Sequence, residues 1–349
     1  MKEMPKMSYL YDEIQEQPHV IANLISHQEQ YVQEIAKAIH DFKPAFVMIA
    51  ARGTSDNAAR YAQYALGIQA KLPVALATPS VHTLYGAQPQ MGNALVIGIS
   101  QSGQSADVRQ VLTDAAAQGS LTMSITNDPQ SPLAQSTRFH IDLGVGLERS
   151  VAATKTYTAE LMAIAMLVEA LTTASFETIA RVPQWMTTTL EQNEAVGEWA
   201  QRYRYIEQLA TIGRGYNYCT AFEISLKIKE LCYIVSEQYS EADFRHGPIA
   251  IVEQGFPVIV VAPKGKPQAQ LLDLLSELDH KKAECLVISN DDAALAYARN
   301  PMRLPDDLPE WLSPLCTVIP GQYFAYYLAQ ERGLNVDAPR HLNKVTSTE

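Results

Sequence analysis

A hydroxyl-rich turn, Ser100-Gln-Ser-Gly-Gln-Ser105, follows a continuously apolar run at positions 94–99. The apolar run predicts a strand buried on both faces, and the helical spacing from Asp107 onward predicts a helix with Ser105 at its N-cap. Free N–H groups at the start of such a helix, together with serine hydroxyls, can bind an anion such as a phosphate group. The alternative is a serine-rich capping turn that binds nothing, and the turn alone is compatible with both.

A second group of chemically useful residues lies between Tyr218 and Ser236. This segment is predicted to be one helix, with Glu223, Lys227 and Glu230 on one face. The spacing alone is typical of a solvent-exposed ladder of ion pairs. The rest of the helix surface is almost entirely apolar, which indicates a buried helix whose carboxylates face a pocket or an interface. A carboxylate in that setting can take a proton from a substrate and return it.

One of the eight histidines, His246, stands in the turn Phe244-Arg-His-Gly-Pro248 beside an acidic, aromatic stretch. A single loop histidine is more often structural or inert than catalytic, so both interpretations stay open. No two histidines have metal-ligand spacing, and the sequence predicts no metal site. The pair Gly213-Arg-Gly215 lacks the third glycine of a dinucleotide fingerprint, so no nicotinamide cofactor is expected.

Composition sets the broad class. The 349 residues are 47% hydrophobic and 19% charged, which is typical of a soluble globular protein with room for two domains. No apolar run approaches the roughly 20 residues of a membrane span, and the first residues, Met1-Lys-Glu-Met-Pro-Lys6, have charge but no following apolar core, so they are not expected to be a signal peptide. The net charge of −11, without a lysine and arginine stripe, argues against nucleic acid as a partner. Four scattered cysteines indicate reduced thiols in a cytoplasmic protein.

The elements that must position these residues alternate between strand and helix. Residues 8–42 are predicted to be helical with a break at Pro18. A buried strand then leads into the second hydroxyl turn, Arg52-Gly-Thr-Ser55, and into a helix capped by Ser55 or Asp56. A helix is also predicted over residues 151–170. Such alternation predicts a parallel sheet, whose ligands bind at the carboxyl ends of the strands, where both hydroxyl turns fall.

The second half of the chain repeats the first. Arg214-Gly215 echoes Arg52-Gly53, and Asn290-Asp291 echoes Asn127-Asp128, each about 163 residues downstream. These ordered landmarks predict a duplicated α/β domain. In the second copy Pro263-Lys-Gly-Lys266 replaces the serine-rich turn, so only the first copy retains a phosphate-type loop.

With these residues in view, nearly the whole chain resembles the double-SIS (sugar isomerase) family. Specifically, it resembles the isomerase half of glutamine–fructose-6-phosphate aminotransferase and the stand-alone relatives of that half. The matching motifs occur in the family's order: Glu13–Pro18, Arg52–Ser55, Ser100–Ser105, Val151–Lys155, Lys227–Glu230, Phe244–Pro248 and Lys344-Val-Thr. The resemblance implies two tandem SIS domains, each a parallel sheet flanked by helices in a flavodoxin-like three-layer sandwich.

The repeat and the resemblance together divide the chain into five expected segments. These are an N-terminal helical segment (1–30), a sugar-phosphate-binding SIS domain (31–172), a helical linker (173–200), a second SIS domain with the catalytic helix and histidine loop (201–330), and a tail that contributes to the active site (331–349).

The resemblance also implies roles for particular residues. The sugar phosphate is held by hydroxyl and amide side chains of the two turns, namely Thr54, Ser55, Ser100, Gln101, Ser102 and Ser105. Glu148 and Val151 match further pocket positions. Glu230 moves the proton between C1 and C2 of the sugar, assisted by Lys227.

Two further roles follow from the resemblance. His246 opens the sugar ring and reaches over from the partner subunit, which implies a homodimer. Lys344 contacts the carbonyl of the open-chain sugar and forms a Schiff base in the synthase. No cofactor is implied.

The sequence departs from the synthase at two pocket positions, where Arg52 replaces Cys and Ala153 replaces Ser. The chain also begins at Met1-Lys2, without the N-terminal cysteine nucleophile of a glutaminase domain, so no ammonia production from glutamine is expected.

The leading functional hypothesis is therefore a glucosamine-6-phosphate deaminase of the SIS type. Within enzymes, the alternatives are a fructosamine-phosphate deglycase and a deaminase/isomerase for an N-acetylgalactosamine-pathway sugar. Outside enzymes, a sugar-phosphate sensor would retain the Ser100 loop but would not need Glu230, His246 and Lys344 together.

Overall fold

The computed structural model describes residues 8–344. Within them, ten strands form two five-stranded sheets. The strands are β1 (Phe46–Ala50), β2 (Val74–Leu76), β3 (Ala94–Ile99), β4 (Leu121–Thr126), β5 (Phe139–Asp142), β6 (Gln208–Gly213), β7 (Val235–Ser240), β8 (Pro257–Val261), β9 (Glu284–Ser289) and β10 (Met302–Arg303).

The α-helices between and around these strands are numbered in chain order. They are α1 (Tyr9–Phe42), α2 (Gly53–Gln69), α3 (Pro79–Thr83), α4 (Ala106–Ala117), α5 (Pro132–Gln135), α6 (Lys155–Thr172), α7 (Val182–Gln192), α8 (Val196–Trp199), α9 (Tyr218–Lys227), α10 (Glu241–Arg245), α11 (Gln268–His280), α12 (Asp292–Leu295) and α13 (Pro314–Glu331). Short 3₁₀ turns span Ile179–Arg181, Ala200–Tyr203, Gly215–Asn217, Pro248–Ile251 and Glu310–Leu312, and a π-helical turn spans Ile228–Cys232.

The two sheets have the same strand order. The first is ordered β2-β1-β3-β4-β5, and the second, read from its other edge, is ordered β7-β6-β8-β9-β10. Every paired strand is parallel to its neighbour. This is the flavodoxin-like order, in which the second strand lies outside the first. The predicted fold class of two tandem parallel α/β domains is confirmed.

Continuous burial explains the apolar runs seen in the sequence. All six residues of β3 and all six of β4 are buried, because helices cover both faces of a parallel sheet. On one face, Val96 of β3 packs with Val108 and Leu112 of α4. The predicted buried strand at positions 94–99 is confirmed.

The chain forms two compact units, each built on one sheet. The first unit comprises His19–Leu147, Lys155–Val182 and, of the described tail, Asn343 and Lys344. The second unit comprises the described residues up to Pro18, together with Glu148–Thr154 and Pro183–Leu342. All four cysteines belong to the second unit, where each is buried and free of disulfide bonds.

The predicted helix break at Pro18 is wrong, because α1 continues through this residue. A proline has no N–H, so it leaves the carbonyl four residues earlier without its helical donor. That carbonyl belongs to Ile14, and the side-chain amide of Gln17 donates to it at 2.9 Å. The amide supplies the missing hydrogen bond, and the helix is retained.

The predicted helix from Tyr218 to Ser236 is also too long. It ends as the π-helical turn at Cys232, and Tyr233 follows in the left-handed conformation with φ 58°. Val235–Ser240 then pairs with β6 as strand β7. Its backbone groups find their partners in the sheet instead of in a continued helix.

Two predicted helix starts shift. The helix α2 begins at Gly53 with Arg52 at its N-cap, so neither Ser55 nor Asp56 caps it. The helix predicted from residue 151 begins at Lys155. Ser105 does occupy the N-cap of α4, as predicted, but its side chain makes no capping hydrogen bond.

Over residues 8–344, no helix is both long enough and apolar enough to cross a membrane.

Candidate active site

The first sheet reverses its strand order between β1 and β3. Ligands of such sheets bind outside the carboxyl ends of the strands at this point. The turn Arg52–Ser55 leads from β1 into α2 here, and the turn Ser100–Ser105 leads from β3 into α4. Both helices therefore begin at this edge, and the N–H groups of their first turns favour an anion.

The Ser100–Ser105 loop is held by hydrogen bonds from its own backbone. The hydroxyl of Ser100 accepts from the N–H of Gly103 at 3.2 Å, and that of Ser102 accepts from the N–H of Gln104 at 3.3 Å. Gly103 has φ 62°, and a Cβ at this position would overlap the side chain of Ser131. Only glycine fits this turn without displacing a neighbour.

The polar side chains of the two turns differ in how far internal contacts engage them. Ser55 donates its hydroxyl to the buried carboxylate of Glu160 at 2.7 Å, and Gln101 donates its amide to Thr156 at 3.2 Å. Ser102 and Ser105 are partly exposed, and no described residue accepts their hydroxyl protons. These two hydroxyls can donate to a ligand, whereas the hydroxyl of Ser55 is engaged by Glu160 of α6. Thr54 is partly exposed, like Ser102 and Ser105, and stands in the first turn of α2.

Arg52 brings a cation to the same edge. Its Nε donates to the buried carboxylate of Asp107 at 2.8 Å, while the side chain remains 48% exposed. The contact orients the guanidinium and leaves its two terminal nitrogens without a partner among residues 8–344. The carboxylate of Asp107 also accepts from the N–H of Val108 at 2.8 Å. Arg52 therefore compensates a negative charge that would otherwise repel an anion at the start of α4.

The second unit contains a buried charge cluster at the end of α9. The ammonium of Lys227 lies 3.3 Å from a carboxylate oxygen of Glu223 and 2.5 Å from one of Glu230. Lys227 and Glu223 are buried, with 1% and 0% of their side chains exposed, whereas Glu230 is 23% exposed. Burial by itself lowers the pKa of Lys227, but the two carboxylates outweigh this and raise it above its usual range. Lys227 is therefore charged, and one member of the cluster reaches solvent.

Glu230 owes its position to the π-helical turn. The turn widens the helix at Ile228–Cys232, and Tyr233 ends it in the left-handed conformation. Such π-helical turns are rare and occur frequently at functional sites. The widened turn turns the Glu230 carboxylate toward Lys227 while keeping it partly accessible.

His246 directly follows α10, at its C-cap, and is exposed. Its N–H donates to the carbonyl of Asp243 at 3.1 Å, and its ring has no hydrogen-bond partner among the described residues. Gly247 follows with φ 145°, a backbone conformation that side chains rarely adopt, so the sharp turn after His246 requires glycine.

The stretch Glu148–Thr154 groups with the second unit and carries the two expected pocket residues, Glu148 and Val151. The buried carboxylate of Glu148 accepts from the N–H of Thr154 at 2.9 Å, and the N–H of Val151 donates to the carbonyl of Asp337 at 3.2 Å. Ala153, where the synthase has serine, is buried in the same stretch.

Glu13 supports this stretch from α1. Its carboxylate accepts from the hydroxyl of Ser150 at 2.5 Å and from the N–H of Arg149. Burial raises the pKa of Glu13, and the nearby charge of Glu148 raises it further, against the opposing effect of these hydrogen bonds. Glu13 is part of the motif Glu13–Pro18, but the spacing of that motif does not reveal the contact with Ser150, 137 positions away.

The structure thus groups the predicted residues into two sets. Glu230, Lys227, His246, Glu148 and Val151 belong to the second unit. The two hydroxyl turns and the partly buried Lys344 belong to the first. Val345 and Thr346 of the tail motif lie outside the described residues, as does the chain start at Met1-Lys2.

The second sheet contains a feature that sequence analysis missed. Its own reversal point lies between β6 and β8, followed by Arg214-Gly215 and by Lys264–Lys266. A carboxylate of the chain itself, Glu310, occupies this place and accepts from the N–H of Lys266 at 2.8 Å. A Cβ on Gly265 would overlap it. The anion cradle of the second copy is therefore filled from within.

Among residues 8–344, no group of three or more histidine, cysteine, aspartate or glutamate side chains is arranged to hold a metal ion.

With this geometry established, comparison with known proteins identifies the class. A model of the SIS domain matches residues 43–170 and 204–332. Because the two matches cover most of the sequence, the chain belongs to the SIS family.

Particular relatives lie within that family. The glutamine–fructose-6-phosphate aminotransferase (isomerizing) of Aquifex aeolicus is 33% identical over 347 residues, which are 98% of this chain and 58% of that protein. The chain thus spans a little over half the length of this relative.

Solved structures agree on the fold. The C-terminal domain of glucosamine-fructose-6-phosphate aminotransferase from Francisella tularensis has a TM-score of 0.86 and 26% identity, covering 97% of this chain and 100% of that one. A glucosamine-6-phosphate deaminase from Thermotoga maritima has a TM-score of 0.82 over 98% of this chain and 100% of that one. Its identity of 20% supports a shared fold alone.

Proposed function

We propose that the protein is a sugar-phosphate isomerase that acts as a glucosamine-6-phosphate deaminase. The observation that carries the proposal is the Glu223–Lys227–Glu230 cluster, in which a buried ammonium holds a partly accessible carboxylate on a π-helical turn. A carboxylate fixed in this way can take a proton from carbon and return it to the neighbouring carbon.

The anion edge of the first sheet supplies the handle for the substrate. The hydroxyls of Ser102 and Ser105, the first N–H groups of α2 and α4, and the guanidinium of Arg52 bind the phosphate group of the sugar. Binding a group remote from the reacting carbons positions the open chain, and this lowers the barrier of the chemical step. The Arg52 cation also offsets the unfavourable net charge of −11 close to the ligand.

The reaction proceeds in four steps. His246, which we propose is donated by a partner subunit, opens the sugar ring. Glu230 takes the proton from C2 and returns it to C1, which converts the amino aldehyde into an imine at C2. Water adds to this imine, and the C–N bond breaks. The products are fructose 6-phosphate and ammonia, so one water is consumed for each ammonia released.

The remaining residues assist this sequence. Lys227 holds Glu230 in place, Lys344 contacts the carbonyl of the open-chain sugar, and Glu148 and Val151 shape the pocket. Thr54, Ser55, Ser100 and Gln101 form the walls of the phosphate site.

The test is ammonia release from glucosamine 6-phosphate, measured beside a panel of fructosamine phosphates and N-acetylgalactosamine-derived amino-sugar phosphates. The expected result is turnover by the wild type and a loss of at least about a hundredfold in kcat for Glu230→Gln, since proton transfer contributes about 10²–10⁴-fold. The matched control is Glu253→Gln, which removes an exposed carboxylate of the same unit and should leave kcat unchanged. Absence of ammonia from every amino-sugar phosphate would refute the proposal.

A further inference from the structure

Three arginines line one open pocket of about 470 Å³ in the second unit. Arg204 comes from the approach to β6, Arg332 directly follows α13, and Arg340 belongs to the tail. The volume falls within the usual range of small-molecule sites, roughly 300–1,000 Å³.

None of these three guanidinium groups forms an ion pair with any residue of the described chain. This differs from other arginines of the same unit, since Arg202 pairs with Glu284 and Arg245 pairs with Glu277 at 2.8 Å. The protein has a net charge of −11, yet these three arginines lie around one concave surface without carboxylate partners. Such a local excess of positive charge indicates a binding site for a negatively charged ligand.

The arginines are held in position by contacts that leave N–H groups available. The guanidinium of Arg204 lies 4.4 Å from the ring centre of Tyr205, and its terminal nitrogens each donate once, to the hydroxyl of Tyr205 at 2.7 Å and to the carbonyl of Gln201 at 3.3 Å. The guanidinium of Arg340 stacks 4.1 Å from the ring centre of Tyr233. One terminal nitrogen of Arg332 donates to the carbonyls of Arg204 and Ile206, each at 2.9 Å. Arginines fixed in this way lose little freedom when they bind an anion.

The charge of the lining matches a phosphate monoester. Glu331 also lines the pocket, so the three arginines leave an excess of two positive charges. A phosphate monoester carries a charge of about −1.5 to −2 at pH 7. Its oxygens accept paired hydrogen bonds from guanidinium groups.

The pocket is also connected to two parts of the candidate active site. Tyr233 ends the π-helical turn that carries Glu230, and its hydroxyl accepts from the backbone N–H of Arg340 at 2.7 Å. Arg340 lies in the segment that leads directly to Lys344. A ligand bound by Arg340 therefore restrains the tail at its junction with this turn.

We propose that this pocket binds a phosphorylated small molecule and thereby holds the tail segment that leads to Lys344. The binding is independent of the reaction proposed above, and its test needs no measurement of turnover.

The first experiment measures binding by isothermal titration calorimetry. The probes are inorganic phosphate, adenosine 5′-monophosphate and fructose 6-phosphate, which separate a simple anion, a nucleotide and a sugar phosphate. The variant Arg204→Gln/Arg340→Gln keeps much of the stacked side chains and removes both charges. The control Arg299→Gln removes an exposed arginine of the same unit outside the pocket.

For at least one probe, the wild type should show a site whose Kd is weakened at least fivefold in the double variant and not in the control. A smaller change for every probe overturns the proposal, as does equal weakening in Arg299→Gln, which would reveal a general charge effect.

The second experiment follows hydrogen exchange of peptides that cover residues 333–344. The bound probe should slow exchange there in the wild type and leave exchange in the double variant unchanged. Binding without this protection overturns the inferred restraint of the tail.

Discussion

Lys227 shows how much can depend on one buried charge. Its ammonium lies between a fully buried carboxylate, Glu223, and a partly accessible one, Glu230. Of the three side chains, only that of Glu230 is partly accessible. Removing the ammonium takes a cation away from the fully buried Glu223, and breaking a buried ion pair in this way is strongly destabilising.

We therefore expect Lys227→Met to lower the free energy of unfolding by roughly 3–5 kcal/mol. Activity should fall as well, since Glu230 loses the group that fixes it. The matched control is Lys229→Met, two residues away on the surface, whose amine contacts Gln238 at 3.2 Å. Thermal unfolding monitored by circular dichroism compares the variants, and equal melting temperatures for both would contradict the role assigned to the cluster.

The surroundings of Glu13 determine how the stability of the fold should change with pH. Burial raises its pKa above 4.5, the value expected for an unfolded chain, so the folded protein holds this proton more tightly. The resulting stability is fully present below about pH 4.5 and is lost as the pH rises through the raised value.

The melting temperature of the wild type relative to Glu13→Gln should accordingly be higher at pH 5 than at pH 8. The comparison cancels the titration of carboxylates that both proteins share. A difference that stays constant, or grows with pH, would show that Glu13 does not titrate as its burial requires.

At the scale of elements, the Ser100–Ser105 loop depends on the close approach of two turns. Gly103 combines a left-handed backbone with direct contact to Ser131, so two separate effects oppose a larger residue. Gly119 has a similar backbone, with φ 86°, but nothing lies within 4 Å of an added Cβ. Comparing an alanine substitution at Gly103 with one at Gly119 therefore separates the cost of backbone strain from the cost of steric overlap.

Gly103→Ala should raise KM for the sugar phosphate at least about tenfold and destabilise the first unit by more than the roughly 1–2 kcal/mol of backbone strain alone. Gly119→Ala should cost only the strain and leave KM unchanged. Steady-state kinetics and chemical unfolding measure both quantities. If the two variants behave alike, contact with Ser131 does not shape the loop.

Many of the strands, helices and turns were predictable from the sequence. The apolar run of β3 predicted a buried strand, since both faces of that strand are covered, and the hydroxyl turns followed from strand and helix polarity. The end of α9 was not predictable, because apolar periodicity continues past Tyr233 and no residue type marks its left-handed backbone. The continuity of α1 through Pro18 depends on a Gln17 rotamer. The engagement of Ser55 by Glu160 depends on a residue 105 positions away.

At the scale of the whole molecule, the proposed reaction requires more than one chain. His246 is exposed and its ring is unpaired among the described residues, as expected of a side chain that serves a neighbouring copy. A mixture of inactive variants can test this arrangement directly, because an active site assembled from two chains can be completed by complementary defects.

Glu230→Gln and His246→Asn should each be inactive alone. Refolded together as a dimer, they should regain up to about a quarter of wild-type activity, since half of the dimers are mixed and each mixed dimer has one intact site. Each variant refolded alone is the control. No recovery in verified mixed dimers would show that both residues act from the same chain.

The position of Glu310 in the second sheet has a consequence for anion binding. Its carboxylate occupies the cradle of the second sheet as a covalently attached stand-in for an external anion. Glu310→Ala should therefore be a chemical-rescue mutant: inorganic phosphate or sulfate should raise its melting temperature more than that of the wild type, while chloride should not. Shortening this one side chain would thus free an anion-binding site that the second domain shares with the first through the duplication.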